Sequence, residues 1–139
     1  MKISKIMKHN PRTVNMDKTL AEIENIMTKS CIEHLPVLNN GVLVGIISNL
    51  DIKSYKSMKA GTVASDRKDD LTLELKAFQI MTRDVFTVTE ETSLIDTIRI
   101  MIEKQIHCLP VLSKAGRVVG IVSSTDILRS YMVIAELFE

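Results

Sequence analysis

An α+β sandwich of two related halves is the fold this sequence predicts. Three observations point there: a long internal repeat, one order of strand and helix signals in both copies, and a length suited to a single shared domain. IMKHNPRTV starting at Ile6 returns as IMTRDVFTV at Ile80, and the LPVL run at Leu35 returns at Leu109. GVLVGIISNLDI starting at Gly41 returns as GRVVGIVSSTDI at Gly116. The offset is 74 before the turn and 75 after it, which places one extra residue near Ala115. Of the 47 positions from 6 to 52, 19 are identical in the second copy, so the halves share a fold and not merely a motif. Two units are too few for a solenoid, which takes about three. A closed pair with pseudo-twofold symmetry, packed through its sheets, is the alternative, and any pocket then comes in two related versions. With 139 residues the chain fits one compact domain, since a half of roughly 60 residues is marginal alone.

Each copy reads strand, helix, strand, strand, helix. Thr13 and Val14, and Thr87 and Val88, sit in short β-branched stretches. Thr19 and Glu22, then Ser93 and Asp96, place a hydroxyl three residues before a carboxylate, the capping-box start of a helix. Leu20, Ile23, Ile26 and Met27 then fall on one helical face, mirrored by Leu94, Ile98 and Met101. The LPVL runs read as short apolar strands in which Pro36 and Pro110 mark an edge or a strand start. Turns at Gly41 and Gly116 return the chain as hairpins, and helices follow from Ser48 and Ser123. The boundaries so read are repeat 1 at 1–56, a charged connection at 57–76 with an extra strand or short helix toward Phe78, and repeat 2 at 77–139.

Composition narrows the function. Eighteen basic and 17 acidic side chains leave a net charge of +1 with no basic stripe, which argues against nucleic-acid binding. No long apolar run marks a signal peptide or membrane span, and two cysteines without a secretion signal read as reduced thiols, so a cytoplasmic protein is expected. Eight Met and no Trp favour an aliphatic core with adaptable filler, with Met27 and Met101 as examples.

The two endings GIISNLD at 45–51 and GIVSSTD at 120–126, each placed after an LPVL strand and a turn glycine, resemble those of a tandem CBS-domain pair, or Bateman module. The resemblance covers nearly the whole chain. It implies a non-catalytic regulatory module that binds adenosine-containing ligands (AMP, ADP, ATP or S-adenosylmethionine) in clefts between its halves, needs no obligatory cofactor, and pairs into a homodimer that signals to a separate effector protein. The alternative use of the same fold is a dimerising scaffold with non-functional clefts.

Helix-terminus physics is consistent with that implication. A serine that ends a strand and starts a helix aims its hydroxyl and the first backbone N–H groups at one electropositive point, which suits a phosphate. The aspartate three residues on can accept from a ribose diol. The same Ser-x-x-Asp spacing is also a capping box, whose ordinary task is to satisfy backbone donors. Carried over position by position, the resemblance implies a first cleft of Asp126, Thr125, Ser123, His107, Ile106 and Cys108, completed by Met7, Arg12 and Ile32. It implies a second of Asp51, Ser48, Leu50, His34, Glu33 and Ile32, completed by Met81, Phe86 and Ile106. Thr125 and His107 suit a phosphate better than Leu50 and Glu33, so the Asp126 cleft is favoured for nucleotides. The Asp51 cleft is expected to be empty or to take a less anionic adenosyl ligand.

Cys31, His34, His107 and Cys108 recur at related points, but not at zinc-finger or ribbon spacing, so no metal is expected and the cysteines read as small buried residues. No nucleophile–base pair stands out, and no enzyme activity is expected. Gly45 and Gly120 read as serving backbone geometry near the clefts, and Lys53, Lys56 and Lys59 as a solvated helix face. The apolar run at 131–138 is expected to extend the last helix onto a partner or back across its own surface.

Overall fold

The computed structural model describes residues 1–59 and 73–139, with nothing said of the side chains at 58 and 59. In chain order the elements are β1 (Lys8–His9), β2 (Val14–Asn15), α1 (Leu20–Ser30), β3 (His34–Asn39), β4 (Val42–Ser48), α2 (Asn49–Lys59), α3 (Ala77–Ile80), β5 (Val88–Thr89), α4 (Leu94–Lys104), β6 (Cys108–Leu112), β7 (Val118–Ser123) and α5 (Ser124–Glu136), with a 3-10 turn at Ile3–Lys5. The strand-helix-strand-strand-helix order expected of each repeat is present twice. The expected connection at 57–76 lies largely outside the described residues, and the described segment beyond it enters the one-turn helix α3.

The chain forms two compact units, Arg12–Val85 and Met1–Pro11 with Phe86–Glu139. Each unit therefore carries the opening segment of the other sequence repeat. In the first, the sheet order is β2-β3-β4; in the second it is β1-β7-β6-β5. Parallel pairs place Val14 beside Val37 and Val88 beside Val111, and antiparallel hairpins complete both sheets. The exchanged segments make matching contacts. Leu94 N–H donates to the Met1 carbonyl at 2.8 Å, and Leu20 N–H donates to the Leu75 carbonyl at 2.7 Å. β1 adds to β7 through Lys8 opposite Ile121 and His9 opposite Gly120, while its counterpart reaches β4 by a single bridge between Ile46 and Thr82.

Local chemistry accounts for these elements. Thr19 caps α1 in a reciprocal box with Glu22, and Ser93 accepts from Asp96 N–H at 3.0 Å. Both helices end on a left-handed residue, Cys31 at φ 52° and Gln105 at φ 54°, whose N–H groups return to the last turn. The first hairpin turns on Asn40 and Gly41, both at positive φ, as a two-residue mirror-image turn requires. In the second, the extra residue makes a longer loop closed by Gly116 N–H on the Ser113 carbonyl.

Two expectations are corrected here. Pro36 and Pro110 lie inside β3 and β6, the middle strands, and are buried. They are tolerated because the neighbouring strands β2 and β5 are two residues long and pair only from Val37 and Val111 onward. Cys31 is exposed, because a helix that ends in a left-handed turn leaves its cap residue at the surface.

Each unit has its own core. Leu20, Ile23, Met27, Leu35, Val37 and Ile47 anchor one; Ile3, Met101, Leu109, Val111 and Val122 anchor the other. Thr97 replaces Ile23 at the matching helical position and is fully buried, its hydroxyl donating to the Ser93 carbonyl at 2.9 Å.

Candidate functional site: two Ser-x-x-Asp helix starts

At the start of α5 the Ser123 hydroxyl oxygen accepts from Asp126 N–H at 3.1 Å. Asp126 Oδ2 in turn accepts from both the N–H and the hydroxyl of Ser123, each at 2.9 Å. The first N–H of the helix, on Ser124, donates to the His107 carbonyl at 2.9 Å. The start of α2 repeats the pattern: Asp51 N–H donates to Ser48 Oγ at 3.0 Å, Ser48 N–H to Asp51 Oδ2 at 2.9 Å, and Asn49 N–H to the Glu33 carbonyl at 2.9 Å. Both serine oxygens thus accept a capping bond, and the Ser123 hydroxyl also donates to its own aspartate. The Oδ1 atom of each aspartate takes no part in the box, and Thr125 or Leu50 stands exposed beside it.

The two Oδ1 atoms meet different surroundings. Asp126 is 8% exposed, and its Oδ1 lies 3.8 Å from Lys8 Nζ and 3.8 Å from the Arg129 guanidinium. Lys8 arrives on β1, and Arg129 stands one helical turn beyond the aspartate. At the matching positions around Asp51 stand Thr82 and Ser54, and among the described residues Asp51 has no ion-pair partner. Cys108, opposite Ser123 in the β6–β7 ladder, has its thiol pushed up to about 12. Burial is the main cause; the Asp126 charge adds to the shift and Lys8 opposes it.

Of the residues expected at the first cleft, Asp126, Thr125, Ser123, His107, Ile106, Cys108 and Met7 share one compact unit. Within it His107 and Thr125 are exposed, Ile106 packs against the core, and Met7 is buried against Gly120. Arg12 and Ile32 belong to the other unit, where Arg12 is exposed and Ile32 packs on the core. That unit brings together Asp51, Ser48, His34, Glu33 and Met81, with His34 paired opposite Ser48 and Met81 buried against Gly45. Phe86 lies in the unit of Asp126, with Lys104 Nζ 5.4 Å from its ring centre.

Gly45 and Gly120 differ from the expectation: neither has positive φ, and their lack of a side chain makes room for methionine sulfur. Sequence reading did not single out Lys8 or Arg129. The signal was present, since Lys8 follows Met7 where Thr82 follows Met81. Lys56, read as part of a solvated face, pairs with Glu24. A cavity of about 220 Å³ lies in the Asp51 unit, lined by Met27, Ile32, Asn49 and Ile52 among others. Among the described residues no group of three or more His, Cys, Asp or Glu side chains could hold a metal ion, and no helix is long and apolar enough to cross a membrane.

Comparison with known proteins places this geometry in a family. The CBS domain pattern matches residues 3–57 and again 77–133, so the chain belongs to the CBS domain family and carries two such domains in tandem. A CBS domain-containing protein of Dictyostelium discoideum is 30% identical over 128 residues, 91% of this chain and 88% of that protein. A homoserine O-acetyltransferase of Methanosarcina acetivorans is 32% identical over 126 residues, 90% of this chain. The chain spans only 21% of that enzyme's length, and 23% and 44% of two further archaeal relatives. Among solved structures, the CBS domain pair of protein MJ0100, in complex with 5′-methylthioadenosine and S-adenosyl-L-methionine, superposes with a TM-score of 0.75 at 31% identity, covering 94% of this chain and 99% of that one.

Proposed function

We propose that this chain is a regulatory CBS pair without chemistry of its own, binding adenosine-containing ligands (AMP, ADP, ATP or S-adenosylmethionine) at sites built on Asp126 and Asp51. The observation that carries the reading is the pair of capped helix starts, each with one carboxylate oxygen left outside the cap, in a chain 31% identical to a CBS pair bound to two adenosyl compounds. Asp126 and Asp51 would accept from a ribose diol, while Thr125, His107 and Cys108, or Leu50, Glu33 and His34, would line the ligand beside them. Met7 and Ile106 would complete the first site, and Met81 the second. The repeat boundaries 1–56 and 77–139 are proposed as the two ligand-carrying CBS units.

A homodimer fits the exposed apolar side chains of α5 and the residues after it, Leu128, Tyr131, Met132, Val133, Leu137 and Phe138. The module would act from the cytoplasm on a separate effector protein, by shifting an equilibrium between states that bind the ligand unequally. Calorimetric titration of ligand-free protein with AMP, ATP and S-adenosylmethionine tests the reading: heat with at least one supports it, and none with all three defeats it. A pure scaffold is the second reading, favoured by each serine oxygen and its aspartate already bonding one another as a cap. It predicts dimerisation with no ligand-induced rise in melting temperature.

A further inference from the structure

The two helix starts carry the same cap and the same aspartate, yet their electrostatics differ in one respect. Around Asp126 Oδ1 stand two cations, each 3.8 Å away, and around Asp51 the same two positions are Thr82 and Ser54. The carboxylate of Asp126 is buried while the Lys8 and Arg129 side chains are 64% and 63% exposed. The anion is thus buried, while its two cationic partners keep most of their side chains open to a ligand. Counting formal charges, one carboxylate with two cations sums to +1 at the first start, and one carboxylate alone to −1 at the second. Glu33, exposed where repeat 2 has His107, adds to the negative side of that contrast. Among the cations of the Asp51 unit, Arg83 donates to the Phe78 carbonyl at 2.8 Å and Lys56 pairs with Glu24, so neither is paired with Asp51.

Resting on the proposed adenosyl-ligand function, we propose that Lys8 and Arg129 are specificity-determining residues that reserve the Asp126 site for phosphorylated adenosine ligands, and that their absence at Asp51 leaves that site to uncharged or cationic ones. A phosphate group within about 4 Å of a side-chain ammonium at a half-exposed site gains enough Coulomb energy to change affinity by roughly tenfold or more, whereas the uncharged nucleoside gains nothing from it. Both side chains lie on elements already fixed by the fold, β1 on β7 and the first turns of α5, so the preference needs no rearrangement to be expressed.

The test uses the full chain carrying Asp51→Asn, so that the Asp126 site is read alone, with AMP and adenosine as probes. Replacing Lys8→Thr and Arg129→Ser gives this site the residues that repeat 1 has. The expected result is a fall of about tenfold or more in the AMP-to-adenosine affinity ratio, smaller in 0.5 M salt than at low ionic strength. An unchanged ratio overturns the charge inference while leaving the ligand reading standing. Adenosine and AMP failing to bind even with Lys8 and Arg129 intact, in folded protein with or without Asp51→Asn, overturns this inference, and the ligand reading falls with it when ATP and S-adenosylmethionine fail as well. The reverse exchange, Thr82→Lys with Asp126→Asn, is expected to raise AMP affinity at the Asp51 site; no gain there, with adenosine bound, counts against the inference independently of how well the first variant folds.

Discussion

The sulfur of Met7 lies within clashing distance of where a Cβ on Gly120 would sit, and Met81 bears on Gly45 in the same way. An added methyl meets Met81 Cγ at 2.7 Å and Cβ at 3.0 Å at the second position, but only the outer atoms Cγ and Cε of Met7, both at 3.0 Å, besides the sulfur at the first. Gly45→Ala therefore forces a stiffer part of its neighbour to move and should be the more destabilising, with both costs in the range of about 1–3 kcal/mol. Urea denaturation measures them. Adding Met7→Ala to Gly120→Ala should cost less than the sum of the two single changes, since the clash and the cavity offset each other.

Gln105 ends α4 at φ 54°, a conformation that costs a side-chain-bearing residue about 1–2 kcal/mol. After the extra backbone freedom of glycine in the unfolded chain is subtracted, Gln105→Gly should stabilise by about 0.5–1 kcal/mol, read as a higher urea midpoint at unchanged slope. A loss of stability would show that the cap is not strained.

The two thiols should behave differently. Cys31 is exposed, and Cys108 ionises only near 12 in the folded chain against 9.0 in its absence. Iodoacetamide at pH 8 should label Cys31 and spare Cys108, as peptide mass spectrometry would show. Below pH 9 both states keep the Cys108 proton, so it contributes no pH dependence there. From about 9 to about 12 the unfolded chain releases a proton that the folded chain retains, and stability falls with rising pH by at most about 1.4 kcal/mol per unit from this group. Cys108→Ala should flatten that part of the profile; an identical slope in the variant contradicts the assignment.

The apolar C-terminal helix gives a prediction about assembly. Tyr131, Leu137 and Phe138 are 67%, 79% and 86% exposed within the chain, more than a solitary helix end usually leaves in water. Light scattering at micromolar concentration should report twice the 15.6 kDa chain mass, and Tyr131→Asp with Met132→Glu should halve it. A wild-type monomer would contradict the dimer.

Much of the fold was legible because the repeat doubles every signal. The Thr19 and Ser123 boxes, the Asn40-Gly41 turn and the LPVL strands each rest on rules spanning a few residues, so the chain order of elements could be read from either copy and checked on the other. What escaped was set by distant contacts. That residues 1–11 pack with repeat 2 follows from backbone bonds such as Leu94 to Met1, which leave no periodic trace. The role of Gly120 required knowing that Met7 faces it, and the surroundings of Asp126 required knowing that β1 delivers Lys8. Ser123 and Ser48 show the reverse case: their motif was found, but in both the hydroxyl oxygen is engaged by the backbone N–H three residues on.

Binding and capping can be separated at the two aspartates, because Asn keeps an oxygen for the serine N–H while removing the charge. The decisive measurement is calorimetric titration of Asp51→Asn/Asp126→Asn against the parent chain with AMP and S-adenosylmethionine, alongside thermal melts. Hydrogen bonds to a charged acceptor are worth about 1.5–3 kcal/mol, so the account predicts at least about tenfold weaker binding with melting temperature nearly retained. Binding of parental strength in the double variant would contradict it.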